Sequence, residues 1–348
     1  MTKIVPTPAG EAGDQQTIQI DDPEAPSPAS RDGRTENGQR PAQATDNRVK
    51  ALRRFGASIT VFTVLGHVVL GFEQAPITPV VAALVSYVVA IGLEFVDSWS
   101  RGTRPAYTGG FGALVVFLLP AHITALACAM LLYGNTSLWP YLFAVVVAHA
   151  SKYVFRVTVR GKGRHFLNPS NFGIVMTLLL FPWVGIAPPY HFTNVTIGTL
   201  DWLVPLAVLT LGTMINAKIT GKWPLVLGWI GGFVLQAVLR WILVDHSLVA
   251  ALLPMTGVAF VLFTNYMIPD PGTSPSKPWN QVVFGVTTAV VYGVLVSFGV
   301  VFGLFFALVI TCVLRGAVLV VSSRMSGETR HRLAALVSRT TLLRSPAH

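Results

Sequence analysis

The sequence predicts an all-α protein, a polytopic membrane bundle of about ten transmembrane helices. Three observations lead to this prediction. Of the 348 residues, 52% are hydrophobic and only 11% are charged, whereas soluble domains carry roughly 25% charged residues. The mean hydropathy is +0.60. The apolar residues are grouped in long runs, and a run of about 20 residues crosses a hydrocarbon core. These observations exclude a water-soluble enzyme.

The net charge of +10 is unevenly distributed along the chain. Residues 1–54 contain 8 basic and 8 acidic residues and are therefore neutral overall. The rest of the chain contains 17 basic and 7 acidic residues, placed between the apolar runs. A nucleic-acid-binding protein instead clusters its basic residues on one face. Membrane lipid, and not nucleic acid, is the expected partner.

The two ends of the chain are predicted to lie outside the bundle. Residues 1–50 are rich in Pro, Gly, Asp, Gln, Thr and Arg, which predicts a disordered cytoplasmic tail. They do not resemble a signal peptide, so the first apolar segment is expected to act as an uncleaved signal-anchor. Residues 51–322 form the predicted transmembrane domain. Residues 323–348 are a basic tail that either lies on the inner leaflet or is solvated.

The positive-inside rule gives an independent test of the predicted spans. With the N-terminus in the cytoplasm, the inner loops hold most of the Lys and Arg residues, and the outer loops carry Glu73, Asp201 and Asp245. Ten spans with both termini inside satisfy this rule, as expected for a multi-pass protein of the plasma membrane. The segments are 55–72, 78–97, 110–133, 138–156, 169–187, 200–217, 223–244, 247–267, 281–298 and 300–321.

Ionisable side chains within the predicted spans are candidates for function, because lipid makes them costly. Such groups can form a proton or ion relay, but a neutral His can equally serve only helix packing. Glu94 and Asp97 lie near an inner boundary, where pairing with Arg101 or Arg104 is the simpler explanation. The intramembrane candidates are His67, His122, His149 and Lys152.

The first predicted cytoplasmic loop of interest comprises residues 160–173. Gly161 and Gly163 predict a flexible basic turn that leads into a helix. Asn168 is a suitable N-cap, and Pro169 fits the first helical turn. Arg164 and Lys162 add positive potential beside that helix N-terminus, which favours an anionic or carbonyl-rich ligand.

The second loop comprises residues 266–275 and is predicted to lie on the same side of the membrane. Asp270 supplies carboxylate acceptors, and Thr273 and Ser274 supply hydroxyls. The alternative for both loops is that they are only tight connections between helices, with suitable caps and breakers.

Both loops resemble the signatures of one family of membrane redox proteins, the NqrB/RnfD family. Its members are membrane components of the Na⁺-translocating NADH:quinone reductase and of the Rnf complex. Residues Gly161-x-Gly163-Arg164-x-Phe166-Leu167-Asn168-Pro169 resemble the G-x-G-R-x-F-L-N-P segment of that family. Residues 270–275, followed by Phe284-Gly285, resemble its T-D-P-x-x-x-P…Y-G segment. The resemblance spans roughly the whole membrane region.

A narrower resemblance is to the actinobacterial membrane proteins called UnbU, which are named for their association with enediyne biosynthesis. The stretches that are similar lie at both ends of the predicted bundle and include the first loop. They are residues 53–55, 65–67, 70–73, 118–123, 165–173 and 253–260.

The family resemblance implies two five-helix halves in inverted orientation. It also implies membrane flavins that exchange electrons with partner proteins, coupled to ion translocation. A riboflavin is expected near the cytoplasmic side, at the positions that match Asn168 and Asp270. His165 stands where the relatives have an asparagine. The cofactor-binding candidates are Arg164, His165, Asn168, Pro169, Asp270 and Thr273.

One departure from the family concerns covalent flavin. The relatives attach FMN to the last threonine of an S-G-A-T motif on the outer side. The corresponding loop here, residues 190–201, contains three threonines, but S-G-A-T occurs nowhere in the sequence. The expected cofactor is therefore riboflavin or FMN held non-covalently, and covalent FMN is not expected.

The sequence leaves three functions open. The first is a flavin-binding redox protein with a soluble reductase or a membrane quinone as partner. The second is a small-molecule transporter for an enediyne product or precursor. The third is a scaffold that recruits biosynthetic proteins through residues 1–50. We recognise no catalytic residue, metal spacing or nucleotide-binding loop. Cys128 and Cys312 cannot supply the four thiolates of an iron–sulfur cluster within one chain. Either they share a cluster at a subunit interface, or both act as small apolar residues.

Overall fold

A computed structural model describes residues 33–68, 72–159, 162–187, 221–256 and 258–342, together with positions 210, 212 and 214. The described chain is mostly helical. Its α-helices are α1 (Gly33–Val68), α2 (Ile77–Arg101), α3 (Phe111–Leu131), α4 (Trp139–Val154), α5 (Pro169–Leu180), α6 (Trp223–Val244), α7 (Leu248–Leu252), α8 (Val258–Leu262), α9 (Pro278–Ser297) and α10 (Gly303–Leu342).

Five of the described helices are long and apolar enough to cross a membrane. They are α2, α3, α6, α9 and the part of α10 from Gly303 to Ser322, and they match five of the ten predicted segments. At the level of fold class, the described chain is therefore a helical membrane bundle. The predicted segment 200–217 lies outside the described residues except at positions 210, 212 and 214.

The predicted segment 247–267 is broken. Helix α7 is followed by a 3₁₀-helix (Leu253–Thr256), then by α8 and a π-helix (Phe263–Met267). The two arms, Leu248–Met255 and Ala259–Met267, are bent by 62°. Pro254 lies in the 3₁₀ turn, where its missing N–H and its ring oppose a regular helix. Counted as one span, this pair raises the number of candidate spans to six.

Two further predicted spans are shorter than expected. Helix α4 has 16 residues, and α5 has 12 and ends at Leu180, two residues before Pro182. The residue before a proline is disfavoured in the α-helical conformation, which explains this end. The predicted segment 55–72 corresponds to the second half of α1 up to Val68.

The chain divides into two compact units, residues 1–44 and 45–348. The described part of the first unit is the start of α1, so residues 33–50, which were predicted to be disordered, are helical. Extending an existing helix avoids the cost of a new nucleus, which explains helix beyond the apolar segment. Residues 1–32 lie outside the described part. At the other end, α10 continues through the predicted tail to Leu342.

Within the second unit, α9 packs along α6, and α5 packs along α4. In both pairs, a glycine allows the backbones of the two helices to come into contact. A Cβ at Gly173 would lie 2.2 Å from the carbonyl oxygen of Ala144, and a Cβ at Gly285 would lie 2.5 Å from that of Leu225. Small residues that permit such close approach are characteristic of helix pairs in membranes.

The four strands among the described residues are short and form two antiparallel pairs. Strand β1 (Leu132–Tyr133) pairs with β4 (Gly185–Ile186), and β2 (Arg156–Val159) pairs with β3 (Lys162–His165). The second pair is a hairpin in the segment that was predicted as a flexible turn. It connects α4 to α5 and delivers the chain to the helix start at Asn168.

Candidate functional site

Asn168 joins the two loops that the sequence singled out. Its side-chain Oδ1 accepts hydrogen bonds from the backbone N–H of Asn171 (3.1 Å) and the hydroxyl of Ser170 (3.0 Å). The N-cap prediction is thus confirmed, with Pro169 in the first helical turn. The Asn168 Nδ2 group donates to the carbonyl oxygen of Met267 at 2.9 Å. The amide of Asn168 therefore fixes the second loop to the start of α5.

Asp270 organises the second loop. Its carboxylate accepts hydrogen bonds from the Thr273 hydroxyl (2.8 Å) and the Gly272 backbone N–H (3.2 Å). Its carbonyl oxygen accepts from the Ser274 hydroxyl at 2.7 Å. Thr273 and Ser274 are buried. The hydroxyls of Thr273, which is a predicted cofactor-binding residue, and of Ser274 therefore stabilise the turn through hydrogen bonds to Asp270.

Three basic residues act on this loop: Lys222 and Arg315, which are not among the candidates predicted from the sequence, and Lys152, which is one of the intramembrane candidates. The Nζ group of Lys222 donates to the carbonyl oxygen of Pro275 at 2.6 Å, and the Arg315 guanidinium donates to the carbonyl oxygen of Thr273. The charge of Asp270 acts on both Lys152 and Lys222. The available signal was that all three lie at predicted inner ends of apolar segments.

Lys222 precedes α6 and is only 4% exposed. Burial disfavours its charged form and lowers the pKa of its amine from 10.5 to about 8, although the Asp270 carboxylate opposes this shift and Arg315 adds to it. An amine with this pKa can change its charge in a pH range accessible to experiments.

A cavity of about 50 Å³ lies between the β2–β3 hairpin, the second loop and α10. Of the six predicted site residues, Arg164 and His165 line it, whereas Asn168, Pro169, Asp270 and Thr273 do not. Ligand pockets for whole cofactors have volumes of about 300–1,000 Å³, so this cavity does not hold a flavin ring system. The lining residues are Val157, Arg164, His165, Phe166, Gly272, Arg315 and Leu319.

The histidines of the predicted spans form hydrogen bonds between helices. The ring of His122 lies 2.7 Å from the hydroxyls of both Thr60 and Tyr87. The Thr60 hydroxyl donates to the carbonyl oxygen of Gly56, so we assign His122 Nε2–H as the donor to Thr60. This chain of hydrogen bonds ends on a backbone carbonyl, which favours helix packing over a relay.

His149 forms a similar arrangement with α2. Its Nε2 lies 2.6 Å from the Ser86 hydroxyl, which donates to the carbonyl oxygen of Ala121. Its Nδ1 lies 3.3 Å from the Nζ group of Lys152. These contacts satisfy both ring nitrogens of a residue that is 1% exposed.

The acidic residues near the end of α2 are paired. Asp97 forms ion pairs with Arg101 (3.0 Å) and Arg156 (3.2 Å), so the expected pairing with Arg101 is confirmed. Glu94 accepts a hydrogen bond from the Tyr153 hydroxyl at 3.2 Å. Within the described part of the chain, no group of three His, Cys, Asp or Glu residues is arranged to hold a metal ion.

The fold and site together define a helical membrane protein with a basic, loop-built site at one end of its helices. Comparison with protein-family models finds no match, and comparison with curated proteins finds none either.

Proposed function

We propose that this chain is a flavin-binding electron-transport protein of the plasma membrane, with ten spans and both termini in the cytoplasm. The flavin is riboflavin or FMN, held non-covalently beside the paired loops. Electrons pass between this flavin and a soluble reductase or a membrane quinone. We further propose that the protein acts in enediyne biosynthesis, which the resemblance to UnbU suggests.

The observation that supports this function best is the meeting of the two loops. They are 99 residues apart at the Asn168–Met267 hydrogen bond, and each carries one half of the family signature. The asparagine and the aspartate of the two signatures thus organise one compact region. Arg164 and His165 add a positive and a polar side chain on its surface.

The residues fit the proposed cofactor only in part. The cavity accepts a group much smaller than the flavin ring, and the side chains of Asn168 and Asp270 already have partners within the loops. The Arg164 guanidinium, which is exposed, and His165 are the residues that would hold the cofactor. When bound, a flavin supplies one- and two-electron chemistry.

The experiment is a visible absorbance spectrum of the full chain, purified in mild detergent with added riboflavin or FMN. We expect about one flavin per chain, which denaturation releases because it is not covalently bound. The variant Asn168→Asp keeps an acceptor for the helix cap but loses the donor to Met267, and is expected to lower the flavin content. Asn280→Asp, at an exposed position in the first turn of α9, is the matched control. Absence of flavin from the unaltered chain at saturating riboflavin and FMN would refute the proposal.

A second candidate function is small-molecule transport, and the broken span favours it. In transporters, interrupted apolar segments at corresponding positions of two inverted halves are a pointer to the substrate site. The third and eighth predicted segments each contain Leu-Leu-Pro, ending at Pro120 and Pro254. Helix α3 continues through Pro120, whereas the segment with Pro254 bends by 62°. Unchanged product export and self-resistance in a deletion strain would argue against transport.

A further inference from the structure

The cavity beside the β2–β3 hairpin concentrates positive charge. Arg164 and Arg315 both line it, and the charge of Arg164 acts unfavourably on that of Arg315. Among the residues that the structure describes, neither guanidinium forms an ion pair with a carboxylate. Two like charges in one small cavity are destabilising unless an anion lies between them.

The cavity is held in shape by close contacts on two sides. The ring of Phe166 packs onto Gly316 of α10, where an added Cβ would lie 2.6 Å from a ring carbon. On the opposite side, a Cβ at Gly272 would lie 3.2 Å from the Nε2 atom of His165. The Arg315 guanidinium is positioned by its hydrogen bond to the Thr273 carbonyl oxygen. Arg315 is therefore a fixed donor group.

We propose that this cavity is a binding site for a phosphate monoester group. Arginine presents planar N–H groups that match phosphate oxygens, and pairs of arginines are suited to a doubly charged anion. The proposal goes beyond the flavin function, because a phosphate binds here whether or not a flavin ring is present.

The size of the cavity agrees with this ligand. One water molecule needs a cavity of about 10–15 Å³, so about 50 Å³ admits a group of four or five heavy atoms. A phosphate group has that size. The apolar part of the lining, Val157, Phe166 and Leu319, accepts the carbon chain to which the phosphate is attached.

The nearby carboxylate does not cancel the positive charge. Asp270 is not a lining residue, but its carboxylate lies beside one, because a Cβ at Gly272 would be 3.3 Å from its Oδ2 atom. This carboxylate accepts hydrogen bonds from Thr273 and Gly272. Its charge also acts on Lys152 and Lys222. The four basic groups outnumber this one carboxylate, so the region remains favourable for an anion.

A phosphate monoester can come from two sources, a lipid headgroup such as phosphatidic acid or a soluble molecule such as FMN. The primary test is equilibrium dialysis of the full chain in detergent with radiolabelled inorganic phosphate. We expect saturable binding of one phosphate per chain. Loss of one charge-assisted hydrogen bond in Arg164→Gln is expected to weaken binding about tenfold or more. Arg164 is exposed, so the variant should fold, and Arg104→Gln, also at an exposed position, is the matched control.

Competition then distinguishes the sources. Displacement of phosphate by dioctanoyl phosphatidic acid identifies a lipid headgroup site, and displacement by FMN but not by riboflavin identifies a soluble ligand. Phosphate binding that is equal in Arg164→Gln and Arg104→Gln, or no saturable binding, would overturn the proposal. Riboflavin binding is measured separately by absorbance, so the flavin function and the phosphate site can fail independently.

Discussion

Two groups of helices in this protein are held together by different forces. Helices α2, α3 and α4 share hydrogen bonds centred on His122 and His149, of which that of His149 with Ser86 is buried. Helices α6, α8 and α9, with the adjoining π-helix, are joined by aromatic rings and by glycines that permit backbone contact. In lipid, exclusion of water does not drive helices together. Close packing and interhelical hydrogen bonds each favour helix association there, and each group of helices relies mainly on one of them.

The aromatic group is centred on Trp229 and Phe233 of α6. The rings of Phe233 and Phe260 lie 4.8 Å apart, and those of Phe233 and Tyr292 lie 5.0 Å apart. The indole N–H of Trp229 donates to the Thr264 hydroxyl at 2.9 Å. This group depends on shape, whereas the histidine group depends on a few directional bonds. Substitutions should therefore cost more in the aromatic group.

The largest effect is expected for Gly285→Leu. A Cβ at this position would lie 2.5 Å from backbone atoms of Leu225 and Trp229, so α6 and α9 must separate. Because two helices lose their packing along the contact, we expect a loss in the free energy of unfolding above the roughly 3–5 kcal/mol typical for removal of one buried aromatic side chain. Cys128 and Cys312 are buried and free, so labelling by a thiol-reactive dye during heating reports unfolding. Gly231→Leu, where an added Cβ meets nothing within 4 Å, is the control and should unfold like the unaltered chain.

The next effect is expected for Trp229→Ala, at a side chain that is fully buried. Removing a large buried aromatic side chain costs about 3–5 kcal/mol in protein cores. Trp229→Phe keeps a ring but loses the donor to Thr264, and it should cost about 1–2 kcal/mol. Equal melting temperatures for these two variants in the thiol assay would mean that the indole hydrogen bond, and not ring packing, stabilises this group.

A smaller effect is expected from the titration of Lys222. Because the folded-state pKa is about 8 and the ordinary value is 10.5, the folded protein releases the proton first as the pH rises. Stability is therefore lowest below pH 8 and increases by about 3 kcal/mol towards pH 10.5. The pH dependence of the melting temperature measures this. Lys222→Met should reduce the increase over that range, while Lys277→Met, at an exposed position, should retain it in full.

The smallest effect is expected for His149→Leu in the histidine group. The substitution removes the contact with the Nζ group of Lys152 and the contact with Ser86, whose hydroxyl still donates to the Ala121 carbonyl oxygen. Hydrogen bonds between membrane helices contribute about 0.6–2 kcal/mol, and we expect a loss of this size in the thiol assay. The control is His67→Leu, because the hydrogen bond that the structure describes for that ring is within its own helix. A loss above that of Trp229→Ala would contradict the comparison between the two groups.

Local signals in the sequence predicted local structure well. Asn168-Pro169 predicted the start of α5, and the apolar runs predicted five long helices. Proline alone did not predict the break, because α3 passes through Pro120 while the chain bends near Pro254. The difference depends on the neighbours of each segment, and Gly212 packs against Asn265 of the π-helix. No single-sequence pattern contains that contact.

The candidate site was predictable in its loops but not in Lys222 and Arg315, the basic residues that reach it from other parts of the chain. The loops carry adjacent motif residues, so Arg164 and His165 were found and do line the cavity. Arg315 reaches Thr273 from 42 residues away, and Lys222 reaches Pro275 from 53 residues away. Such contacts follow from the packing of α6 and α10, and a pattern of hydropathy places these residues only near the ends of spans.

Helix α10 lines the cavity and extends far beyond it. It runs without interruption from Gly303 to Leu342, and about 40 Å of it lies beyond Arg315 at 1.5 Å per residue. A rigid rod that tilts by about 10° at that point moves its far end by about 7 Å. A change in the tilt of α10 at Arg315 therefore produces its largest displacement at the far end of this helix. Spin labels near the end of α10 would measure whether phosphate binding at the proposed site changes the tilt of this helix.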